Sequence, residues 1–339
     1  MDHDTILDML LKLRKKQYVH LVSRMVVPGS RVTRGKVWFF FPDFHLLSAK
    51  AEQKYTYGFT HFKDVPSFRE PLLLELCKKL KVLGAGQGRN PKLYVYQLGD
   101  FIDVWREDKV EPIEDMNSMV RRALAANPAA SRYLADQRTL GAFLVLGNHD
   151  HVGDLSLRRV PRTRRMRTAY ALPPKGNVIA THGDLFDPIE RLPDPFSRWG
   201  SRFTTIFTPG TYKMRGAKRL SQDTEISGDF RVSTTHGLKD GTTEYATAMR
   251  LGRKWALRNM KLNPNYRKPV QVFVIGHTHK PKIAQVRHDL VIMDCGAWLQ
   301  QCDLGACGVV PQCQVGVLAM GDGGLDLRVY QLTPRELSG

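Results

Sequence analysis

Short apolar runs that stop at acidic, amide or histidine residues recur along the chain. Tyr94 to Trp105, YVYQLGDFIDVW, is the plainest: mostly apolar residues run into Gly99 and Asp100, with Asp103 three positions later. Such a run reads as a buried strand carrying two carboxylates to its C-terminal edge, where open α/β sheets place their chemistry. Lys36 to Phe41, KVWFFF, is a second buried strand; Asp43 and His45 beyond it, two residues apart, point the same way. Ala142 to Leu146 runs into Gly147, Asn148, His149 and Asp150. Val178 to Ala180 runs into Thr181, His182, Gly183 and Asp184, and Val270 to Ile275 into Gly276, His277, Thr278 and His279. One Gly-Asp-x-x-Asp or Asp-x-His turn is ordinary loop chemistry. Five strands that each end in metal-ligand residue types go beyond turn statistics.

Between the strands the period changes. Pro71 to Val82 predicts a helix with Pro near its start and Lys in its last turns. Ile113 to Leu134 predicts a helical region interrupted near Asn127 and Pro128. Residues 46–65 read as loop, and Gly84 to Pro91 as a Gly-rich connection without the Lys-Ser or Lys-Thr of a phosphate cradle. MDHDTILDMLLKLRKKQ predicts an amphipathic helix, apolar at Leu7, Leu10, Leu11 and Leu13 and followed by a basic run. Packing on the domain and anchoring at a membrane surface are its two readings. Residues 185–269 break the alternation with helical and loop sequence, including a helix from Thr243 to Leu262. From Ile283 onward, short strands such as LVIMDC and VGVLAM predict a sheet closing one side of the core. The expected plan is an N-terminal helical extension over 1–34, a core from 35–184 and 270–335, and a helical cap insert over 185–269.

Composition narrows the class. The chain has 339 residues, 42% hydrophobic and 25% charged, as in soluble globular proteins, and nowhere the roughly 18 uninterrupted apolar residues of a membrane span. Its five cysteines include no Cys-x-x-Cys pair, which argues against a zinc knuckle. The odd count, with N-terminal charges on the wrong side for a secretory signal, points to reduced thiols in the cytoplasm, with peripheral membrane contact as the variant. The net charge of +18, from 51 Lys and Arg against 33 Asp and Glu, is clustered, most densely at Arg158, Arg159, Arg162, Arg164, Arg165 and Arg167. Such a field favours anionic partners: nucleic acid, phosphorylated metabolites or anionic lipid surfaces.

Taken in order, Asp43-x-His45, Gly99-Asp100-x-x-Asp103, Gly147-Asn148-His149-Asp150, His182-Gly183 and Gly276-His277-x-His279 resemble the five signature blocks of the calcineurin-like metallophosphoesterases. The resemblance spans residues 43–279 and implies an α/β fold, a four-layer αββα sandwich with a helical cap insert, holding two metal ions at the strand edges. It implies that Asp43, His45 and His279 hold the first ion and Asn148, His182 and His277 the second, with Asp100 bridging them. His149 then protonates the leaving oxygen or steadies the phosphoryl oxygens, and Asp103 orients it. The donor set agrees: carboxylate and amide oxygens mixed with imidazoles suit Mn, Fe, Zn or Co, with Mn²⁺ the expected cofactor, and the lack of thiolate argues against copper or an iron-sulfur cluster. A carboxylate shared by two cations also holds a bridging hydroxide of depressed pKa, the nucleophile for hydrolysing a phosphoester or pyrophosphate. Arg158, Arg162, Arg164 and Arg165, close in sequence to His149, are candidates to grip the phosphoryl oxygens; His236, in TTHGLKDGTT, is a candidate substrate contact.

YQLGDFIDVW, the long insert, GHTHKP and the late Gly296-Ala297-Trp298 resemble most the UDP-2,3-diacylglucosamine pyrophosphatase branch of that family. That likeness implies a cap receiving a lipid-bearing substrate, with Phe196, Trp199, Phe203, Ile206 and Phe207 either its apolar wall or ordinary cap core. The chain departs from the branch in carrying His149 where the branch carries Arg. Three functions stay open: a hydrolase of a small or lipid-linked phosphoester or pyrophosphate, a metal-dependent nuclease or nucleotide phosphodiesterase, and a non-catalytic basic scaffold. The charge of +18 favours the second; the absence of a nucleic-acid module and of aromatics among the arginines weighs against it.

Overall fold

The computed structural model describes residues 17–29, 35–54, 69–84, 93–140, 142–152, 155–157, 160, 166–167, 169–172, 177–184, 271–277, 281–287, 290–298, 300–302, 309–311, 313–321 and 323–334. The helix expected over the first residues and the cap expected over 185–269 lie outside them. The first half comprises β1 (Gln17–Val27), β2 (Val37–Phe41), α1 (Ala49–Lys54), α2 (Arg69–Gly84), β3 (Leu93–Gln97), α3 (Val104–Val110), α4 (Met116–Ala126), α5 (Pro128–Leu140) and β4 (Ala142–Leu144). A 3-10 turn at Asn148–Asp150 leads to β5 (His151–Val152), β6 (Leu155–Ser156), β7 (Ala169–Ala171), β8 (Val178–Thr181) and β9 (Val272–Ile275). Then come β10 (Lys282–Arg287), β11 (Leu290–Asp294), β12 (Gln300–Cys302), β13 (Val309–Pro311), β14 (Gln314–Gly321) and β15 (Gly324–Pro334).

Two mixed sheets carry this α/β fold. The six-stranded sheet runs β1-β15-β14-β2-β3-β4 and the five-stranded sheet β10-β11-β9-β8-β7. β2, β3 and β4 are mutually parallel, as are β8, β9 and β11, so their C-terminal ends open toward one edge of each sheet. The run KVWFFF is apolar throughout because both its faces are buried. Val37, Phe39 and Phe41 pack with Leu72, Leu76 and Leu80 of α2, Met119 and Val120 of α4 and Tyr133 of α5. Trp38 and Phe40 point the other way, into a second core shared with Val178 and Ala180 of β8 and Val272 and Val274 of β9. The sheets therefore pack face to face, with helices covering the far side of the first. Ile179, Phe273 and Ile292, alternate to the residues of that second core, are buried as well.

Two expectations need correction within the described residues. The N-terminal helical extension over 1–34 does not hold at its second half: residues 17–27 form β1, antiparallel to β15 along its whole length. A bulge between Leu21 and Ser23 resets the strand parity, so Val19 lies toward the helical core whereas Met25 and Val27 lie toward the core between the sheets. No unbroken period of two survives in the sequence to mark the strand. A bidentate fork from Arg24 to Asp326, at 3.1 and 3.0 Å, fastens β1 to β15. The stretch read as loop from residue 46 contains α1. Ser48, just ahead of it, accepts from the Ala51 N–H at 3.3 Å and donates its hydroxyl to Glu107 of α3 at 2.9 Å, a helix start held by a tertiary partner. The helix expected from Pro71 is α2, and the interrupted helical region is α4 and α5, which meet at Asn127. Among the described residues no helix is long and apolar enough to cross a membrane.

Candidate metal centre

The loops after β2, β3, β4, β8 and β9 converge at one edge of the two sheets. Backbone bonds fasten them: the N–H groups of Phe44 and His45 both donate to the Asp100 carbonyl, at 3.1 and 2.8 Å, and Trp298 N–H donates to the Asp43 carbonyl at 2.8 Å. The Gly296-Ala297-Trp298 segment singled out in the sequence thus braces the loop that carries Asp43. His45 and Asp100 have φ of 46° and 45°, a left-handed backbone that non-glycine residues seldom adopt. Two candidate ligands held in that strained region, bonded to one another through the backbone, indicate a geometry that surrounding structure enforces.

Glycines permit the close approach. A Cβ on Gly147 would collide with the Asp100 carboxylate and its backbone nitrogen, one on Gly276 with the Asp43 carboxylate, and one on Gly99 with the His182 ring. Each signature glycine sits against a candidate ligand from another loop. Gly147→Ala is therefore expected to displace Asp100, lowering the melting temperature of the metal-free protein through about 1–3 kcal/mol of overpacking and weakening divalent-ion binding at least roughly tenfold. Thermal unfolding and calorimetric titration measure both effects; an unchanged affinity would mean that Asp100 needs no such clearance.

Asp43, His45, Asp100, Asp103, Asn148, His182 and His277 are all buried, and His149 is partly buried. His279, Arg158, Arg162, Arg164, Arg165 and His236 lie outside the described residues. Around His182, Nε2 lies 2.8 Å from Asn148 Oδ1, 3.0 Å from His277 Nδ1 and 3.3 Å from Asp100 Oδ2. Its Nδ1 lies 3.0 Å from the Leu98 carbonyl, a partner that accepts only from a protonated Nδ1 and so leaves Nε2 as the ligand atom. On the other side, His45 Nε2 is 3.4 Å from Asp100 Oδ2 and 4.0 Å from Asp43 Oδ2. Neighbouring donors on one ion, each about 2.0–2.2 Å from it, stand about 3.0–3.4 Å apart in octahedral or tetrahedral arrangement. The three contacts of His182 Nε2, at 2.8, 3.0 and 3.3 Å, lie at or just below that spacing, and His45 Nε2 with Asp100, at 3.4 Å, lies at its upper end on the opposite side. Ligand atoms of His45, Asp100 and His149, and of Asp100, His182 and His277, form two groups each within 4.8 Å. Asp100 belongs to both. The donor set and its spacing fit two divalent ions that share this carboxylate.

Electrostatics bind the cluster together. Burial opposes ionisation of Asp100, but His182, His149 and His45 outweigh it and hold the carboxyl well below the usual range. Burial likewise disfavours charge on His182, which Asp100 and Asp43 reverse, holding the imidazole well above its ordinary value. A divalent ion would bring the same positive charge, so its uptake would displace the extra proton of His182.

Several residues in or beside the motifs have contacts that the motifs did not reveal. Asp150 accepts from the N–H groups of Gly147, Phe101 and Ile102 at 2.8, 2.8 and 3.2 Å, joining the turns after β3 and β4. Burial and the charge on Asp100 push its carboxyl up to about 8, partly offset by those donors. Gln97, the last residue of β3, spans the turn from Gly99 to Pro42 through its amide. Trp105 lays its ring 4.3 Å from that of His149 and donates its indole N–H to the His151 carbonyl at 2.6 Å. His149 is thus held between Trp105 and the edge of His45, whose ring centre is 4.8 Å away. Asp103 does more than its spacing suggested: Oδ1 lies 3.1 Å from His149 Nδ1, and Oδ2 lies 3.2 Å from His45 Nδ1.

Nothing among protein-family models, curated proteins or solved structures matches the chain. What the centre can do follows from its own chemistry.

Proposed function

We propose that the chain is a metal-dependent phosphoesterase that hydrolyses a phosphoester or pyrophosphate bond, on a four-layer αββα sandwich whose helical cap is residues 185–269. The observation that carries this reading is the sharing of Asp100 between two donor groups at the ends of parallel strands. The burial of Ile179, Phe273 and Ile292 on the outward side of the second sheet supports a fourth layer. Asp43 and His45, joined by His279, would hold one ion, and Asn148, His182 and His277 the other. Two Mn²⁺ ions, or Fe, Zn or Co, would supply Lewis acidity toward phosphoryl oxygens and hydroxide at neutral pH.

The chain's own residues divide the remaining work. Asp103 takes the Nδ1–H of His149 and steadies the ring's imidazolium form, so Nε2 on the opposite edge can take a proton from solvent and pass it to a leaving oxygen. Trp105 restricts the ring to that orientation and excludes water from one of its faces. Arg158, Arg162, Arg164 and Arg165 remain candidates to neutralise the phosphoryl oxygens, and His236 to touch the substrate. The substrate class is an anionic phosphorylated molecule, small or lipid-linked in the manner of a UDP-diacylglucosamine, met in the cytoplasm or at a membrane surface. The net charge of +18 supports a second reading, a nuclease or nucleotide phosphodiesterase.

Purified protein with Mn²⁺ should turn over at least one of a phosphomonoester, an aryl phosphodiester, a UDP-sugar lipid and single-stranded DNA. Chelation should reduce that turnover at least roughly a thousandfold, the scale of a lost electrostatic stabiliser. Turnover confined to DNA and falling steeply with salt would select the nuclease. No hydrolysis of any of the four would defeat the enzyme reading.

A further inference from the structure

Arg106 is a nearly fully buried arginine that no motif picks out, 2% exposed on the first turn of α3. Its Nη1 lies 2.8 Å from Asp103 Oδ2, and its backbone N–H donates to Asp103 Oδ1 at 3.0 Å. Each oxygen of Asp103 therefore serves one histidine and one group of Arg106. Oδ1 faces His149 Nδ1 and the Arg106 N–H; Oδ2 faces His45 Nδ1 and the guanidinium. An ionised carboxylate only accepts, so both histidines must carry their proton on Nδ1 to bond it. With Nδ1 protonated, Nε2 is the second basic atom of each ring, and on His45 it is the one directed at Asp100 and Asp43.

We propose that Arg106 is a positioning residue which, by fixing the plane and charge of Asp103, sets the tautomer and aim of His45 and His149 together. The metal-directed part rests on the phosphoesterase reading; the tautomer part does not. A capping aspartate without the guanidinium could turn about its side-chain torsion and satisfy one histidine at a time. With the guanidinium on Oδ2 and the helix N–H on Oδ1 it serves both at once, so ion binding through His45 and proton delivery through His149 share one brace. The His182, His277 and Asn148 group has no bond to Asp103, so the brace acts on one side of the centre.

The test begins with metal-free protein. Imidazole nitrogen-15 spectra of the wild type should show His45 and His149 as single Nδ1–H tautomers, and those of Arg106→Gln should show tautomer mixtures at both. Calorimetric Zn²⁺ titration of Arg106→Gln should show one ion weakened about 10–100-fold, the scale for partners behind a ligand, and the other within about threefold. A merely structural arginine would weaken both ions alike as stability fell, or neither. Arg106→Lys, which keeps a positive charge beside Oδ2, should retain more of the wild-type tautomer than the Gln variant. If Arg106→Gln does not fold, the Asp103→Leu/Arg106→Met pair removes both charges together and should lose the single tautomers too. Unchanged tautomers in any folded variant lacking the guanidinium overturn the proposal, whether or not the protein hydrolyses phosphoesters. Altered tautomers in a protein that hydrolyses none of the four substrates would defeat the enzyme reading and leave the positioning role standing.

Discussion

Asp100→Asn should lose at least one of two bound ions and reduce turnover by at least about 10³-fold, the largest effect expected of any single substitution here. Asparagine is the informative replacement because it tolerates the left-handed backbone that Asp100 adopts, with φ of 45°. Its amide oxygen can keep the bond from the His149 N–H, made at 2.8 Å by Oδ1. What changes is Oδ2, which faces His45 Nε2 at 3.4 Å and His182 Nε2 at 3.3 Å. An amide nitrogen there would offer a donor where both proposed ions would need an acceptor, and the negative charge they would share would be gone. Melting reads this without substrate. An ion at a hundredfold excess over its Kd stabilises by about 2.7 kcal/mol. With an unfolding entropy of about 2.1 cal/mol/K per residue over 339 residues, that is ~4 °C for each ion. The wild type should show about twice that shift with Mn²⁺, and Asp100→Asn one such step or none. Two full steps in the variant would show that Asp100 is not shared.

Asp103→Asn should reduce turnover by about 10²–10³-fold, combining a misdirected proton donor with a weakened ion. The helix cap survives, since asparagine caps as well as aspartate. An amide, however, presents one acceptor and one donor to two Nδ1–H groups, so one histidine must change tautomer or turn away. Arg106 is left buried beside a neutral group, which costs about 3–5 kcal/mol, or ~4–7 °C in melting temperature at the entropy used above. The ion nearer His45 should weaken about 10–100-fold while the His182 side holds. From sequence alone Asp103 orients only His149, and metal content should survive its loss; the His45 contact makes partial metal loss the expectation. Undiminished affinity at both ions would show that His45 does not depend on this carboxylate.

Elements whose signal is local are legible in the sequence. KVWFFF, the strand ending at Gln97 and the run ending at Ile275 are apolar at nearly every position because both faces of each are largely buried, and each ends where a candidate ligand begins. β1 was not readable, since its bulge shifts the inward face between Leu21 and Ser23. α1 was not readable either, because its start depends on Glu107, 59 positions from Ser48. Within the centre, residue types that bind metals announced themselves by spacing, whereas residues that act through backbone groups or other side chains did not. Asp150 works through three N–H groups, two of them on a distant turn, and the second partner of Asp103 lies 58 residues upstream. Arg106 stands three positions after Asp103, but no motif marks it, because its importance lies in its burial against that carboxylate.

The order of strands in the first sheet bears on how the protein is made. β14 and β15 stand between β1 and β2, so the fork from Arg24 to Asp326 closes a span of 302 residues. While the chain emerges from the ribosome, β1 has no strand to pair with, and β2 lacks its neighbour on one side, until residues 314–334 have been made. Trp38 and Phe40 wait for the same segment, because Leu318, Leu325, Leu327 and Val329 complete the core they enter. Contacts of such separation are slow to form and leave apolar strand surface open meanwhile. The loop bearing Asp43 and His45 therefore gains its final support only once residues 314–334 have been made and paired.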